Sequence, residues 1–125
     1  MRKNADLQKK LKDLGKSDGR QHPRALLYLP VEYQGNSPRT LRLGHTSDLS
    51  RAGVMLNLPE RLSIGQRINL SIFVSLGKAV EAIKVSSQVV WVHDAGKDGS
   101  FRSGVKFIDL SASDREKLEE FFEEY

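Results

Sequence analysis

Five residues in this sequence have the types and spacing to hold a charged ligand. Asp48 and Ser50 lie two residues apart in Thr46-Ser47-Asp48-Leu49-Ser50-Arg51-Ala52-Gly53, between the apolar runs 40–43 and 54–58. On an extended backbone that spacing turns both side chains to one face. The carboxylate of Asp48 accepts from N–H groups, and the hydroxyl of Ser50 both donates and accepts. Gly53, without a Cβ, tolerates a positive φ or the close approach of another group. Upstream, Arg20 and Arg24 bracket Gln21-His22-Pro23. A guanidinium is a planar fork that fits phosphate oxygens and the O6/N7 edge of guanine. An acid and a hydroxyl beside two such forks suit a guanine nucleotide, with the carboxylate on its N–H edge and the arginines on the other edge and on phosphate.

Catalytic chemistry is not indicated. The chain has no cysteine, and its three histidines, His22, His45 and His93, lack metal-ligand spacing. A Ser-His-Asp set can be drawn from His45, Asp48 and Ser50, but residues this close along one strand do not form that triangle, and no nucleophile elbow surrounds the serine. There is no phosphate-binding P-loop and no G-x-G-x-x-G, so neither ATP nor a dinucleotide redox cofactor is expected. The expectation is a non-enzyme with no metal and no cofactor, in which His22 is a bystander.

Arg20-x-x-x-Arg24 followed by Asp48-x-Ser50-x-x-Gly53 resembles the signature of the PilZ-domain family. The resemblance runs from Arg20 to the C-terminus and takes in Val89-Val90-Trp91-Val92, Gly104-Val105-Lys106-Phe107 and a closing helix from Ser111. It implies a mainly β fold, a six-stranded antiparallel barrel with a C-terminal helix, acting as a receptor for cyclic di-GMP. Carried over position by position, Arg20 and Arg24 contact guanine and phosphate, Asp48 accepts from the guanine N–H edge, Ser50 bonds the same base, and Gly53 keeps the surface clear. The residue before Arg20 is Gly19, where many members carry a further arginine. The family also implies output through a protein partner controlling motility, biofilm attachment or exopolysaccharide. Three other readings compete. One is a PilZ-like adaptor that binds protein and not nucleotide, whose members usually lack these motif positions. Another is a receptor for a related cyclic dinucleotide containing adenine. The third is a small basic barrel for single-stranded nucleic acid, for which Arg67-x-Asn69-x-Ser71-x-Phe73 offers the best strand face.

The elements that must position these residues fit one domain. A chain of 125 residues with 38% hydrophobic and 29% charged content is long enough for a real core and is not of disordered composition. Its formal charge of +4 is polarised: Arg2, Lys3, Lys9, Lys10, Lys12 and Lys16 crowd the start, and Glu116, Glu119, Glu120, Glu123 and Glu124 crowd the end. No apolar run reaches the ~18–20 residues that span a bilayer, and the first residues lack an apolar signal core. The expectation is a cytoplasmic protein, monomeric or a weak homodimer, that binds no nucleic-acid polymer.

Residues 1–19 form an amphipathic basic segment, with Leu7, Leu11 and Leu14 on one stripe of a short helix, and 20–125 form the PilZ-like domain. Pro23 biases the arm around it to an extended shape. Strands are expected over 25–33, with Pro30 marking an edge or bulge, over 39–47, with Leu41 and Leu43 on one face, and over 54–58, 67–75 and 101–107. The run 79–93 is too long for one ordinary strand and reads as two strands, or as one bent near Ser86-Ser87. Trp91, in an alternating strand, is expected in the core. Gly104 signals a bulge or a close approach. Ser111 or Ser113 caps the last helix, whose stripe of Leu118, Phe121, Phe122 and Tyr125 covers an open end of the barrel.

Overall fold

The strict alternation of Arg67–Leu76 builds the central wall: Ile68, Leu70, Ile72 and Val74 are all buried, with Arg67, Asn69 and Ser75 turned out. The computed structural model describes residues 27–35, 39–94 and 99–125. The expected N-terminal helix and the arm carrying Arg20, His22 and Arg24 lie outside the described residues, as do residues 36–38 and 95–98. The strands are β1 (Pro30–Gln34), β2 (Leu41–Leu49), β3 (Gly53–Leu58), β4 (Arg67–Leu76), β5 (Ala79–Asp94) and β6 (Phe101–Asp109), followed by helix α1 (Ala112–Glu124). They close in the order β1-β2-β3-β6-β5-β4, every pair antiparallel, with β1 completing the ring against β4. The barrel expected from the family resemblance is therefore present. Its interior is filled by one cluster in which Val31, Tyr33, Leu49, Leu56, Leu58, Ile72 and Ile83 are essentially inaccessible. Full burial of a side chain of this size contributes about 1.5–3 kcal/mol.

Strand boundaries differ from the sequence expectation in ways that matter for the site. Regular β1 begins at Pro30, the position in a strand where a missing N–H costs least. Upstream of it, residues 27–29 still run beside β2: Leu27 N–H donates to the Ser47 carbonyl (3.2 Å), and Thr46 N–H donates to the Leu29 carbonyl (2.9 Å). Thr46, fully buried, fills the gap with its side chain, donating to the Leu27 carbonyl and accepting from Leu29 N–H (2.9 Å). Strand β2 runs two residues further than the expected 39–47 and includes Asp48 and Leu49. Leu41 and Leu43 do share a face, but it is the outer one, where they are 64% and 70% exposed. The inward position between Leu43 and His45 is Gly44, and a Cβ there would stand 2.6 Å from Leu58 Cδ2. Leucine from β3 fills the space that a β2 side chain would have taken.

The run 79–94 is a single strand, and its register shifts twice, between Ser86 and Ser87 and again between Val89 and Trp91. The first half of β5 pairs with β4 and the second half with β6, so the bends let one strand serve two walls. β6 reaches back only as far as Ser86. Along the stretch of β5 before that point lies α1. Lys84 N–H donates to Asp114 Oδ1 (3.1 Å), and Lys117 Nζ donates to the Ala82 carbonyl (3.2 Å). Of the two serines spaced for a cap, Ser111 takes the role: its hydroxyl accepts from Asp114 N–H (3.1 Å) and donates to Asp114 Oδ2 (2.7 Å). Leu118, Phe121 and Phe122 enter the core cluster from this helix, and Tyr125 packs at its margin.

Two consequences can be measured. Gly53 opens β3 so close to β6 that an added Cβ would overlap the Val105 carbonyl oxygen, a backbone atom. Gly53→Ala should destabilise the ligand-free protein by about 1–3 kcal/mol, seen as a lower midpoint in thermal unfolding. Asp114 gives a pH signature. Partial burial opposes its charge, but the Ser111 hydroxyl, the Lys84 amide and the ammoniums of Lys117 and Lys84 together hold its carboxyl below the usual carboxylate range. A depressed carboxylate stabilises the fold above its unfolded pKa and loses that contribution as pH falls through the lower folded value. Asp114→Ala should therefore cost about 1–2 kcal/mol near neutrality. The gap from wild type in urea titrations should narrow below about pH 4.

Candidate functional site

The placement of Asp48 turns on a single extra residue. β2 pairs with β3 as His45 with Asn57 and Thr46 with Leu56, then resumes as Asp48 with Met55 and Leu49 with Val54. Ser47 is unopposed, which makes a β-bulge. Without it Asp48 would face Val54 and point into the barrel, because shifting a strand by one residue exchanges its two faces. With it, Leu49 takes the inward place, fully buried, and Asp48 turns to the outer surface of the barrel opposite Met55. Although it is on that side, Asp48 is only 6% exposed.

Ser50 ends the strand and shapes the turn to β3. Its N–H donates to the Gly53 carbonyl (2.9 Å). Its hydroxyl donates to the same carbonyl (3.1 Å) and accepts from the N–H groups of Ala52 and Gly53 (3.2 Å each). A serine hydroxyl used in this way mimics a backbone turn and fixes the loop locally. The Ala52 carbonyl is in turn held by Phe107 N–H of β6 (2.8 Å). So Asp48, Ser50 and Gly53 do come together, and the turn itself makes use of Ser50 and Gly53. Ser50 closes the turn, and Gly53 lets β3 approach β6.

Beside this turn the outer wall of β3, β5 and β6 carries a shallow depression lined by Ser50, Gly53, Met55, Val90, Trp91 and Lys106. Trp91 is half-buried and lies on the outside, over Gly104, where an added Cβ would overlap the indole ring. The expectation that Trp91 belongs to the core is thus overturned. The second register shift in β5 breaks the alternation from which that expectation came. Gly104 meets the close approach its type suggested, and what approaches is the indole. The depression offers an aromatic face, an exposed ammonium from Lys106 and a buried acid nearby, which suits a flat ligand bearing both N–H donors and negative charge.

Further along the outer surface of β2, exposed Tyr28 stacks on His45 with ring centroids 4.1 Å apart. His45 Nδ1 lies 3.2 Å from the Thr46 carbonyl oxygen, a contact that needs the proton on that nitrogen. The Ser50 hydroxyl spends its hydrogen bonds within its own turn. Among the described residues, no group of His, Asp or Glu side chains could hold a metal ion. No helix among them is long and apolar enough to cross a membrane. Arg20 and Arg24 lie outside the described residues. Trp91 and Lys106 were not among the ligand residues expected from sequence, because a tryptophan in a β pattern signals core and a lone lysine signals solvent.

Comparison with known proteins bears on this geometry. The model of the PilZ domain family matches residues 18–124. Comparison with curated protein sequences finds no match. Among solved structures, the Inhibitor of motility from Bacillus subtilis superimposes with a TM-score of 0.67 at 18% identity, covering 84% of this chain and 48% of that one. The chain thus spans about half the length of that protein. The PilZ domain of YcgR from Escherichia coli, solved with c-di-GMP, gives 0.63 at 15% identity, covering 84% of this chain and 89% of that one. The MrkH–c-di-GMP complex of K. pneumonia gives 0.63 at 17% identity, covering 84% of this chain and 50% of that one. At these identities the structural likeness speaks for the fold alone. With a family match over nearly the whole described barrel and its helix, the chain belongs to the PilZ domain family.

Proposed function

We propose that this chain is a receptor for cyclic di-GMP, without enzymatic activity, and that the ligand bridges its N-terminal arginines and the outer face around Asp48. One observation carries the reading most directly, the hydrogen bond from Leu27 N–H to the Ser47 carbonyl. Residues 27–29 run antiparallel to 46–47, so the chain upstream of Leu27 leaves beside Ser47, next to Asp48. Arg24 is three residues from that anchor, within about 10 Å along an extended chain, and Arg20 is seven residues from it, within about 25 Å. The tether is short enough for both guanidiniums to meet a ligand seated against the turn.

In this reading Asp48 takes the N–H edge of guanine, and the arginine forks take its opposite edge and the phosphates. Trp91 flanks the base. Ser50 and Gly53 contribute by holding the turn in shape as well as by leaving room beside it. Family membership supports the ligand, as do c-di-GMP in the solved YcgR PilZ domain and in the MrkH complex. A ligand that joins arm to barrel would convert binding into a change of shape. The output, through a protein partner acting on motility, biofilm or exopolysaccharide, belongs to the same proposal, as does a cytoplasmic setting. The name of the Bacillus neighbour favours motility.

Titration calorimetry with cyclic di-GMP tests the assignment. Each charge-assisted contact contributes about 1.5–3 kcal/mol, so Arg24→Ala and Asp48→Ala should each weaken binding by roughly ten- to a hundred-fold. Unchanged affinity in both variants would refute it. Competition by a cyclic dinucleotide containing adenine, at equal strength, would favour the related-ligand reading.

A further inference from the structure

Arg51 fills one of the two unspecified positions between Ser50 and Gly53, and its side chain leaves the turn to reach α1. Its Nε–H lies within hydrogen-bond distance of both carboxylate oxygens of Glu119, at 2.7 and 3.0 Å. Its guanidinium carbon lies 4.7 Å from the centroid of the Phe122 ring, and Phe122 is a buried member of the core cluster. An ion pair between freely moving surface side chains contributes little. This one is different in kind: the guanidinium is held by a carboxylate and stacked on a ring that packing has already fixed. Together with the bond from Phe107 N–H to the Ala52 carbonyl, it fastens the turn on two sides.

We propose that Arg51 is a positioning residue: it braces the Ser50–Gly53 turn against α1, so that the placement of the helix sets the geometry offered to the ligand. The brace itself follows from the contacts on α1, whereas its effect on affinity rests on the proposed receptor function. By thermodynamic reciprocity, anything that shifts α1 alters ligand affinity, and ligand binding shifts the equilibrium of α1 by the same factor. The turn that completes the site would then also report its occupancy to the last helix of the domain.

Amide hydrogen exchange on the full ligand-free chain reads the brace without any ligand. In Arg51→Ala and in Glu119→Ala, the amides of Ala52 and Gly53 should exchange at least about five-fold faster, while those of Leu70 and Ile72 in β4 keep their wild-type rates. That contrast separates release of the turn from general loss of stability. Calorimetry with cyclic di-GMP should show a three- to ten-fold loss of affinity in each single variant, with little further loss in the double variant, as expected when two residues act through one contact. Exchange at Ala52 and Gly53 within two-fold of wild type in both variants would overturn the brace. Faster exchange with undiminished affinity would overturn its role in positioning the site. Should the wild-type chain take up no cyclic di-GMP, the receptor reading fails, and the exchange rates still decide whether Arg51 holds the turn.

Discussion

Ser47 is one residue more than β2 needs to match β3, and the chemistry of the outer surface depends on where that surplus falls. The strand arrives with Thr46 pointing inward, tied by its hydroxyl to the backbone of residues 27 and 29. It leaves with Leu49 pointing inward, sealed in the core. Two inward residues separated by an even number of intermediates cannot belong to a regular strand, so the intervening pair must include an irregularity. The bulge supplies it and puts the acid outside. A regular strand would have turned a carboxylate opposite Val54 into the apolar core, where burying an unpaired charge costs several kcal/mol. Core packing and site placement are therefore consequences of the same displaced residue.

Much of this architecture is legible in the sequence, and the parts that are not share a physical cause. The inward sets of β3 and β4 and the buried stripe of α1 follow directly from periods of 2 and 3.6, because those elements are regular. The residues misplaced by the same reasoning lie where a closed barrel bends its strands or swaps partners. Trp91 follows a register shift that alternation cannot reveal. Leu41 and Leu43 form a correct apolar pair on the wrong side, since nothing in their own spacing distinguishes outside from inside. The deciding residue there is Gly44, whose missing side chain is needed by Leu58 on another strand. Among the candidate site residues, the grouping of Asp48, Ser50 and Gly53 is legible from spacing. The task of Gly53 within the fold is not, because it depends on Val105, more than fifty residues away; that of Ser50 is local, in its bonds to Ala52 and Gly53.

That second finding changes how a short motif should be understood. The D-x-S-x-x-G spacing is as much a recipe for a tight, well-anchored turn as a set of ligand contacts. Its serine satisfies two backbone N–H groups within the loop, and its glycine allows two strands to meet. A loop held in shape before the ligand arrives has less conformational freedom to lose on binding. Leu27 is tied to the Ser47 carbonyl just ahead of this turn.

The helix beside β5 has one more implication. Between residues 80 and 85 that strand has β4 on one flank and α1 on the other, with Lys84 N–H and the Ala82 carbonyl satisfied by side chains of the helix. Remove the helix and those backbone groups become an open template, flanked by Val80 and the apolar residues that Leu118 and Phe121 now cover. Such a template recruits a strand from another molecule as readily as from its own. The thirteen residues of α1 thus serve as a guard against self-assembly, and a chain shortened before Ala112 would be prone to aggregate for reasons unrelated to any ligand.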